Sequence, residues 1–423
     1  MVKQGYKQTE IGVIPEDWNV KNLIDLSDGG MQNGVFYEVS RKGSGVFFLN
    51  VGNLYETAPI TTRTLEKFDA TTNEIERFKV KHGDLFFTRS SIVPSGIAYC
   101  NWYKGENDET TIFDSHVVRF KTDTEQVVPM YLYLQCISHS SRKYFISNAK
   151  VATMTTIDQN QIGCCQIPVP TYDEQKRIAE ALSDVDGMIS SLEKLIAKKK
   201  AVKQGAMQEL LTGKNRLPGF TGEWNKINLA KKSKIKARIG WQGLTTNEYL
   251  DSGYSYLVTG TDFVNGKIDW DNCHYVAKDR FDQDKNIQIQ NDDILITKDG
   301  SLGKTALVKG LDKPATLNSG VFVIRPIQES YDPAFVYYIL SSFVFKDFLD
   351  HLSAGSTIIH LYQKDISKFE FLMPPTIGEQ AAIASILSDM DNEIEALEHK
   401  LEKTRQIKQG MMQQLLTGKI RLV

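Results

Sequence analysis

The feature that most restricts the fold is a 48-residue passage that occurs twice. Residues 170–217 and 375–422 align without a gap at a constant offset of 205, and 26 of the 48 positions are identical. A repeat spaced by about half the chain length means two copies of one large unit. Within the first copy Ile178, Leu182, Val185, Ile189, Leu192 and Ile196 are spaced 4, 3, 4, 3, 4. Ile383, Leu387, Met390, Ile394, Leu397 and Leu401 repeat that spacing in the second. This is an a/d seam with charges on the remaining faces, and it predicts a long helix in each copy. Pro170 and Pro375 stand just before these helices, and Gly213 and Gly418 just after them, where start and stop signals belong. About 40 residues of helix make a rod of roughly 60 Å. The natural partner of each seam is the other, running antiparallel.

The residues between the helices correspond more loosely. Trp18 matches Trp224; residues 47–53 match 255–263; 83–91 match 292–301; 116–120 match 320–326; 129–137 match 333–341. Each unit is therefore expected to hold several short β-branched and aromatic strands, an amphipathic helix, a Thr/Ser-rich turn (149–156 and 353–359) and then the long helix. The pattern is cyclic, because the C-terminal helix ends in the same passage that leads into the second unit. The expected fold class is α+β: two globular β-rich domains, 1–168 and 217–373, separated by a pair of long antiparallel coiled-coil helices, 169–216 and 374–423, in a pseudo-two-fold, cyclic arrangement.

Chemistry is harder to find. GSLGKT (300–305) resembles a phosphate loop, but Lys298 stands where GxxxxGK[ST] needs its first glycine, so a turn between two strands is expected. The seven histidines form no HxxxH or HExxH pair, and Asp114–His116 has no nucleophile motif beside it. GxSxG is absent, as are the base-holding and methyl-donor motifs of amino-methyltransferases. No catalytic residue, metal site or cofactor site is predicted. Five scattered cysteines without a CxxC pair point to reduced thiols in a cytoplasmic protein, with adjacent Cys164 and Cys165 read as buried small residues. No apolar run is long enough to span a membrane.

What remains is polar and basic. The net charge is only −2, so nucleic-acid binding would have to come from local patches. Lys226, Lys231, Lys232, Lys234, Lys236 and Arg238 fall within thirteen residues that contain no acid, and could lie on phosphate or form a solvated stretch. Two equivalent turns follow apolar strands headed by Asp84 and Asp293. One carries Thr88, Arg89, Ser90 and Ser91; the other carries Lys298, Asp299 and Ser301, with Lys304 beyond it. Such side chains suit base edges and phosphates, or a hairpin held by local bonds. Asn50 and Asn53, and Thr259 and Thr261, sit in strand-end turns open to the same two readings. Lys198, Lys199, Lys200 and Lys203 on the first long helix are expected to be a solvated face.

With these residues in view, the chain resembles, over essentially its whole length, the specificity (S) subunit of type I restriction–modification systems. PxxxEQxxIAxxLSDxD at 170–186 and 375–391, and KQGxMQxLLTGK at 203–214 and 408–419, carry the resemblance. It implies a non-catalytic chain whose two target recognition domains each read one half of a bipartite, asymmetric site in double-stranded DNA. The helices would set the spacer and dock two modification subunits; S-adenosylmethionine would bind those subunits, and ATP and Mg the restriction subunits of the complex. Shortening both heptad runs by four residues would then shorten the preferred spacer. A coiled-coil scaffold for protein partners, and a methylation-only system, remain the alternatives.

Overall fold

The computed structural model describes residues 4–56, 58–105, 109–353 and 360–423; the turn expected at 353–359 falls almost wholly outside them. The chain divides into two compact units. The first is Met1–Glu193 with Lys400–Val423, and the second is Lys194–His399. Each holds a globular α+β part and a stretch of both long helices, which run over Tyr172–Leu210 and Ile377–Leu415, 39 residues each.

The globular parts share a plan. A four-stranded antiparallel sheet in the first unit pairs Ser27–Asn33, Val117–Thr122, Leu85–Thr88 and Cys100–Trp102 in that order. Its counterpart in the second pairs Ser233–Ala237, Val321–Pro326, Ile294–Thr297 and Thr305–Leu307. Beside each lies a three-stranded sheet with one parallel pairing, Phe47 against Thr111 and Tyr256 against Ala315. The strands LFFT and ILIT are continuous apolar runs because both of their faces are covered. Leu85 and Phe87 pack into the larger core of the first unit and Phe86 into a second one. Ile294 and Ile296 divide from Leu295 in the same way. The glycine-rich segment at 300–303 joins two antiparallel strands, Ile294 pairing with Leu307, and no helix follows it. It therefore lacks the helix N-terminus a phosphate loop requires.

Eight seam residues, Ile178, Leu182, Leu192, Ile196, Ile383, Leu387, Ile394 and Leu401, are buried, while Val185, Ile189, Met390 and Leu397 are half-buried. A two-helix pair covers only one side of each helix, which leaves its flanking positions partly wet. The seam also does more than join helices. Ile178 and Leu182 enter the core around Trp18, together with Leu415 and Leu416. Ile383 and Leu387 enter the other core, with Leu211.

Ion pairs fix the antiparallel register within each unit. Lys408 meets Asp186 at 2.6 Å and Arg405 meets Glu193 at 2.7 Å in the first. Lys203 meets Asp391 at 2.5 Å and Lys200 meets Glu398 at 2.7 Å in the second. These are the same two pairs displaced by the 205-residue offset. Lys199 pairs with Glu393, so this lysine cluster is not the freely solvated face expected from sequence.

The repeated Glu-Gln of the helix starts ties helix to domain. Glu174 accepts from Trp18 Nε1 (3.1 Å) and from Arg421 Nε and Nη2 (2.7 and 2.8 Å). Glu379 accepts from Trp224 Nε1 (3.3 Å) and from Arg216 Nε and Nη2 (2.6 and 2.8 Å). Gln175 accepts the Val128 N–H, and Gln380 that of Asp332, just ahead of the helices Pro129–Cys136 and Pro333–Leu340. Gly213 and Gly418 take φ of +70° and +68°, and a Cβ there would meet the Trp224 ring at 3.1 Å or Pro15 at 2.5 Å. The C-terminus thus completes the first unit, through Arg421, as the equivalent passage completes the second through Arg216. One expectation about cysteine fails: Cys165 is buried but Cys164 is exposed.

Candidate nucleic-acid interface

Each unit has a concave surface at the end of its central strand. In the first, Asn33, Arg89, Val118, Lys150, Thr156, Ile157, Asp158 and Gln159 line a groove of about 350 Å³. Arg89 is exposed on the turn after Leu85–Thr88. The Thr/Ser-rich turn is folded against it: Ser90–Ser91 pairs with Thr155–Thr156, which pairs with Lys150–Val151. The backbone bond from Ile157 N–H to Arg89 O (3.1 Å) closes this arrangement, and Leu361 N–H to Lys298 O (3.0 Å) repeats it in the second unit. Gln159 Nε2 donates to Asn33 Oδ1 at 2.9 Å, joining residues far apart in sequence. Asp158 is committed to capping the helix Gln159–Gly163, accepting from Gln161 N–H at 2.8 Å.

In the second unit the groove is about 540 Å³, and among its lining residues are Thr259, Thr261, Asp299, Ser301, Lys304 and Asn318, with Tyr249 and His274. Five residues singled out from sequence therefore come together here. Lys298 is not among them. It is half-buried against Asp299 (3.4 Å) and over the Phe322 ring (6.0 Å), and exposed Lys304 is the cation on the groove.

The structure corrects several candidates. Thr88 is fully buried: its Oγ1 donates to Gly96 O (2.8 Å) and accepts from Tyr99 N–H (2.9 Å). Thr297 does the same between Ser301 O and Lys304 N–H. Both threonine hydroxyls are spent on closing the turn. Asn53 is buried, accepting the Asn50 N–H at 2.9 Å and donating to Glu56, while Asn50 accepts from Gly52. Buried Thr259 and Asp262 cap the matching turn, so these turns are held by local bonds. Arg238 is 3% exposed, donating to Leu317 O (2.8 Å), Thr316 Oγ1 and Gln242 O. Burial lowers its basicity, although a guanidinium stays charged. Among the remaining basic residues, Lys226 pairs with Glu370, and exposed Lys231, Lys232, Lys234 and Lys236 lie on Leu229–Lys232 and Ser233–Ala237, outside the groove lining.

Sequence reasoning missed Asn33, Lys150 and Gln159 in one groove and Tyr249, His274 and Asn318 in the other. The available signal was the turn at 149–156, which occupies the same place in the repeat as 353–359. Asp84 and Asp293, both buried at the heads of the strands, hold a buried arginine in the first unit and a half-buried one in the second. Arg119 Nε donates to Asp84 at 2.8 Å, and Arg325 Nε and Nη2 donate to Asp293 at 2.6 and 2.5 Å. No group of His, Cys, Asp and Glu suited to a metal ion occurs among the described residues. No helix among them is long and apolar enough to cross a membrane.

This architecture matches known proteins. The family model for the type I restriction modification DNA specificity domain matches residues 15–204 and 243–407. A Methanocaldococcus jannaschii protein provisionally named as type I restriction enzyme MjaX specificity subunit is 26% identical, over 99% of this chain and 97% of its own length. The type I restriction enzyme MjaVIII specificity subunit of the same organism is 26% identical over 74% of this chain and 75% of its own. In fold, the crystal structure of the type I restriction-modification S subunit from M. genitalium superposes with a TM-score of 0.60 at 16% identity, over 94% of this chain and 96% of that one. The chain belongs to the type I restriction modification DNA specificity family.

Proposed function

We propose that this chain is the specificity subunit of a type I restriction–modification complex and that it reads a bipartite, asymmetric site in double-stranded DNA. Each unit reads one half-site through its groove. The chain itself is not catalytic. It gives an address to two modification subunits, which bind S-adenosylmethionine and methylate adenine, and to restriction subunits that use ATP and Mg. The long helices carry the docking of the modification subunits.

One observation carries this proposal. The groove at the same strand end is lined in each unit by a different polar set: exposed Arg89 and Lys150 with half-buried Gln159 in one, exposed Thr261, Ser301 and Lys304 in the other. Equal scaffolds with unequal donors and acceptors suit two unequal half-sites. The test is a genome-wide map of N6-methyladenine with and without the gene, its partner subunits present. Loss of one bipartite, non-palindromic motif is expected. With Arg89→Ala one half of that motif is relaxed, and with Lys304→Ala the other. An unchanged map in a strain that expresses the modification subunits refutes the proposal.

A further inference from the structure

Four apolar side chains of the first unit stand in solvent at one place: Ile92 is 85% exposed, Val93 54%, Val151 69% and Met154 45%. Strand register explains why they gather. Ser91 pairs with Thr155 and Ser90 with Thr156, antiparallel, while Val151 pairs with Thr155. Continuing from Ser91 to Ile92 therefore leads to the same end of the three-stranded ribbon as the hairpin turn that holds Met154. Lys150 and Thr156 lie one pair back, toward Arg89 and the groove. The ribbon has an apolar tip and a cationic, polar base.

The tip is also held rigid. Val93 N–H donates to Ser91 Oγ (3.3 Å), and Tyr55 OH and Thr88 Oγ1 both donate to Gly96 O (3.2 and 2.8 Å). Arg142, from the following helix, donates to Ala98 O (2.7 Å) and Ser95 O (2.8 Å). A Cβ at Gly96 would sit 2.3 Å from Ser91 Oγ, so a larger residue there would displace the hydroxyl that holds Val93 N–H. Ala152 N–H to Met154 O (3.3 Å) closes the hairpin. Exposed apolar groups rimmed by polar ones mark binding surfaces, and fixing them beforehand removes an ordering cost from binding.

We infer that this ribbon enters the DNA major groove and that its apolar tip reads thymine 5-methyl groups in the half-site of the first unit. The inference rests on the function proposed above. The hairpin of Lys150–Val151 and Thr155–Thr156 is the two-stranded kind of ribbon that the major groove admits, and the thymine methyl is the one apolar feature a base pair shows there. Arg89 and Lys150 at the base of the ribbon favour a polyanion over a neutral protein surface. In the second unit the turn after Thr297 offers exposed Ser301 and half-buried Leu302.

The test uses the full chain assembled with its modification subunits and a duplex carrying the mapped motif. Arg89→Ala identifies the half-site of the first unit, and each thymine there, on either strand, is replaced in turn by deoxyuridine. At least one replacement is expected to weaken binding about fourfold, the worth of one buried methyl-sized group. In Ile92→Ala, Val93→Ala or Met154→Ala, all exposed positions that leave the fold intact, sensitivity to that replacement disappears. A half-site without thymine, no effect of deoxyuridine on the wild type, or undiminished sensitivity in all three variants overturns the inference. So does release of the modification subunits by the variants with DNA affinity unchanged. Failure to bind the mapped motif at all would instead strike the proposed function.

Discussion

Arg421→Ala tests whether the C-terminus is an integral part of the first unit. Arg421 holds Glu174, whose side chain is 1% exposed, while its own is 23% exposed. Hydrogen bonding to Arg421 also keeps the Asp17 carboxyl below the usual carboxylate range. Among the described residues, removing the guanidinium leaves Glu174 with only the Trp18 N–H as a side-chain donor. Stranding a buried charge costs about 3–5 kcal/mol. Partial water access at Arg421 places this case near about 3 kcal/mol, and the Asp17 contact, more than half exposed on the carboxylate side, adds little. Adding Glu174→Gln removes the stranded charge and is expected to recover about 1–2 kcal/mol, a coupling that a double-mutant cycle isolates. Native-state hydrogen exchange reads the effect unit by unit, through the amides of Leu85–Thr88 and of Ile294–Thr297. The strand of the first unit should exchange roughly 150-fold faster in Arg421→Ala, since each 1.4 kcal/mol is about tenfold. An acceleration below about fivefold, or strictly additive effects of the two substitutions, would refute this account of the network.

Three further outcomes are expected. Hydrogen bonding from Arg41 lowers the Glu74 pKa from its ordinary 4.5 to about 2. A carboxylate depressed by folding contributes stability that is full above its unfolded value and lost as pH falls toward its folded value. Glu74→Gln should therefore flatten the acid dependence of stability between about 4.5 and 2 in equilibrium unfolding at stepped pH; an unchanged slope would contradict the pairing. Of the five thiols, exposed Cys164 alone should react promptly with a disulfide reagent in the native protein, because Cys100, Cys136, Cys165 and Cys273 are buried and burial pushes Cys165 and Cys273 to about 12; Cys164→Ser should abolish the fast phase. Lys408→Asp should cost about 0.5–1 kcal/mol by denaturation, with much of the loss restored by Asp186→Lys, as for a partly exposed pair that still fixes register.

The long helices were legible in the sequence because a/d spacing follows directly from helix geometry, and the same holds for the fully buried central strands. The groove walls were much less so. Strands of two residues, such as Lys150–Val151 and Thr155–Thr156, are too short to show any periodicity. The contact between Gln159 and Asn33 joins positions that no local pattern connects. Arg238 misled for a specific reason. Lys234 and Lys236 alternate outward with Ser233 and Ile235 inward, and continuing that alternation would expose residue 238. The strand ends at Ala237, and the next side chain turns inward to satisfy two carbonyls and a hydroxyl. Residue type announces hydrogen-bonding capacity; only tertiary structure says whether the chain itself uses it.

The two arginine–aspartate pairs show how little the scaffold constrains the surface it carries. Asp84 and Asp293 occupy equivalent positions, and each accepts a backbone N–H from three residues upstream, Lys81 at 2.7 Å and Gln290 at 2.8 Å. Their arginines are not equivalent. Arg119 lies opposite Phe86, whereas the residue opposite Leu295 is Val323, and Arg325 stands two places further along. Residues two apart on a strand share a face, so either position delivers a guanidinium to the same buried carboxylate. Thr88 and Thr297, by contrast, are identical and make the same two bonds, because the turn they close has one geometry. The demand of the fold on side-chain identity thus ends at that threonine. The residue after it is an exposed arginine in one unit and a half-buried lysine in the other, and the loop beyond it projects Ile92 in one and Ser301 in the other. Specificity can diverge between the units because past that threonine the fold bonds the backbone, through Arg89 O and Lys298 O, and leaves the side chains free to differ.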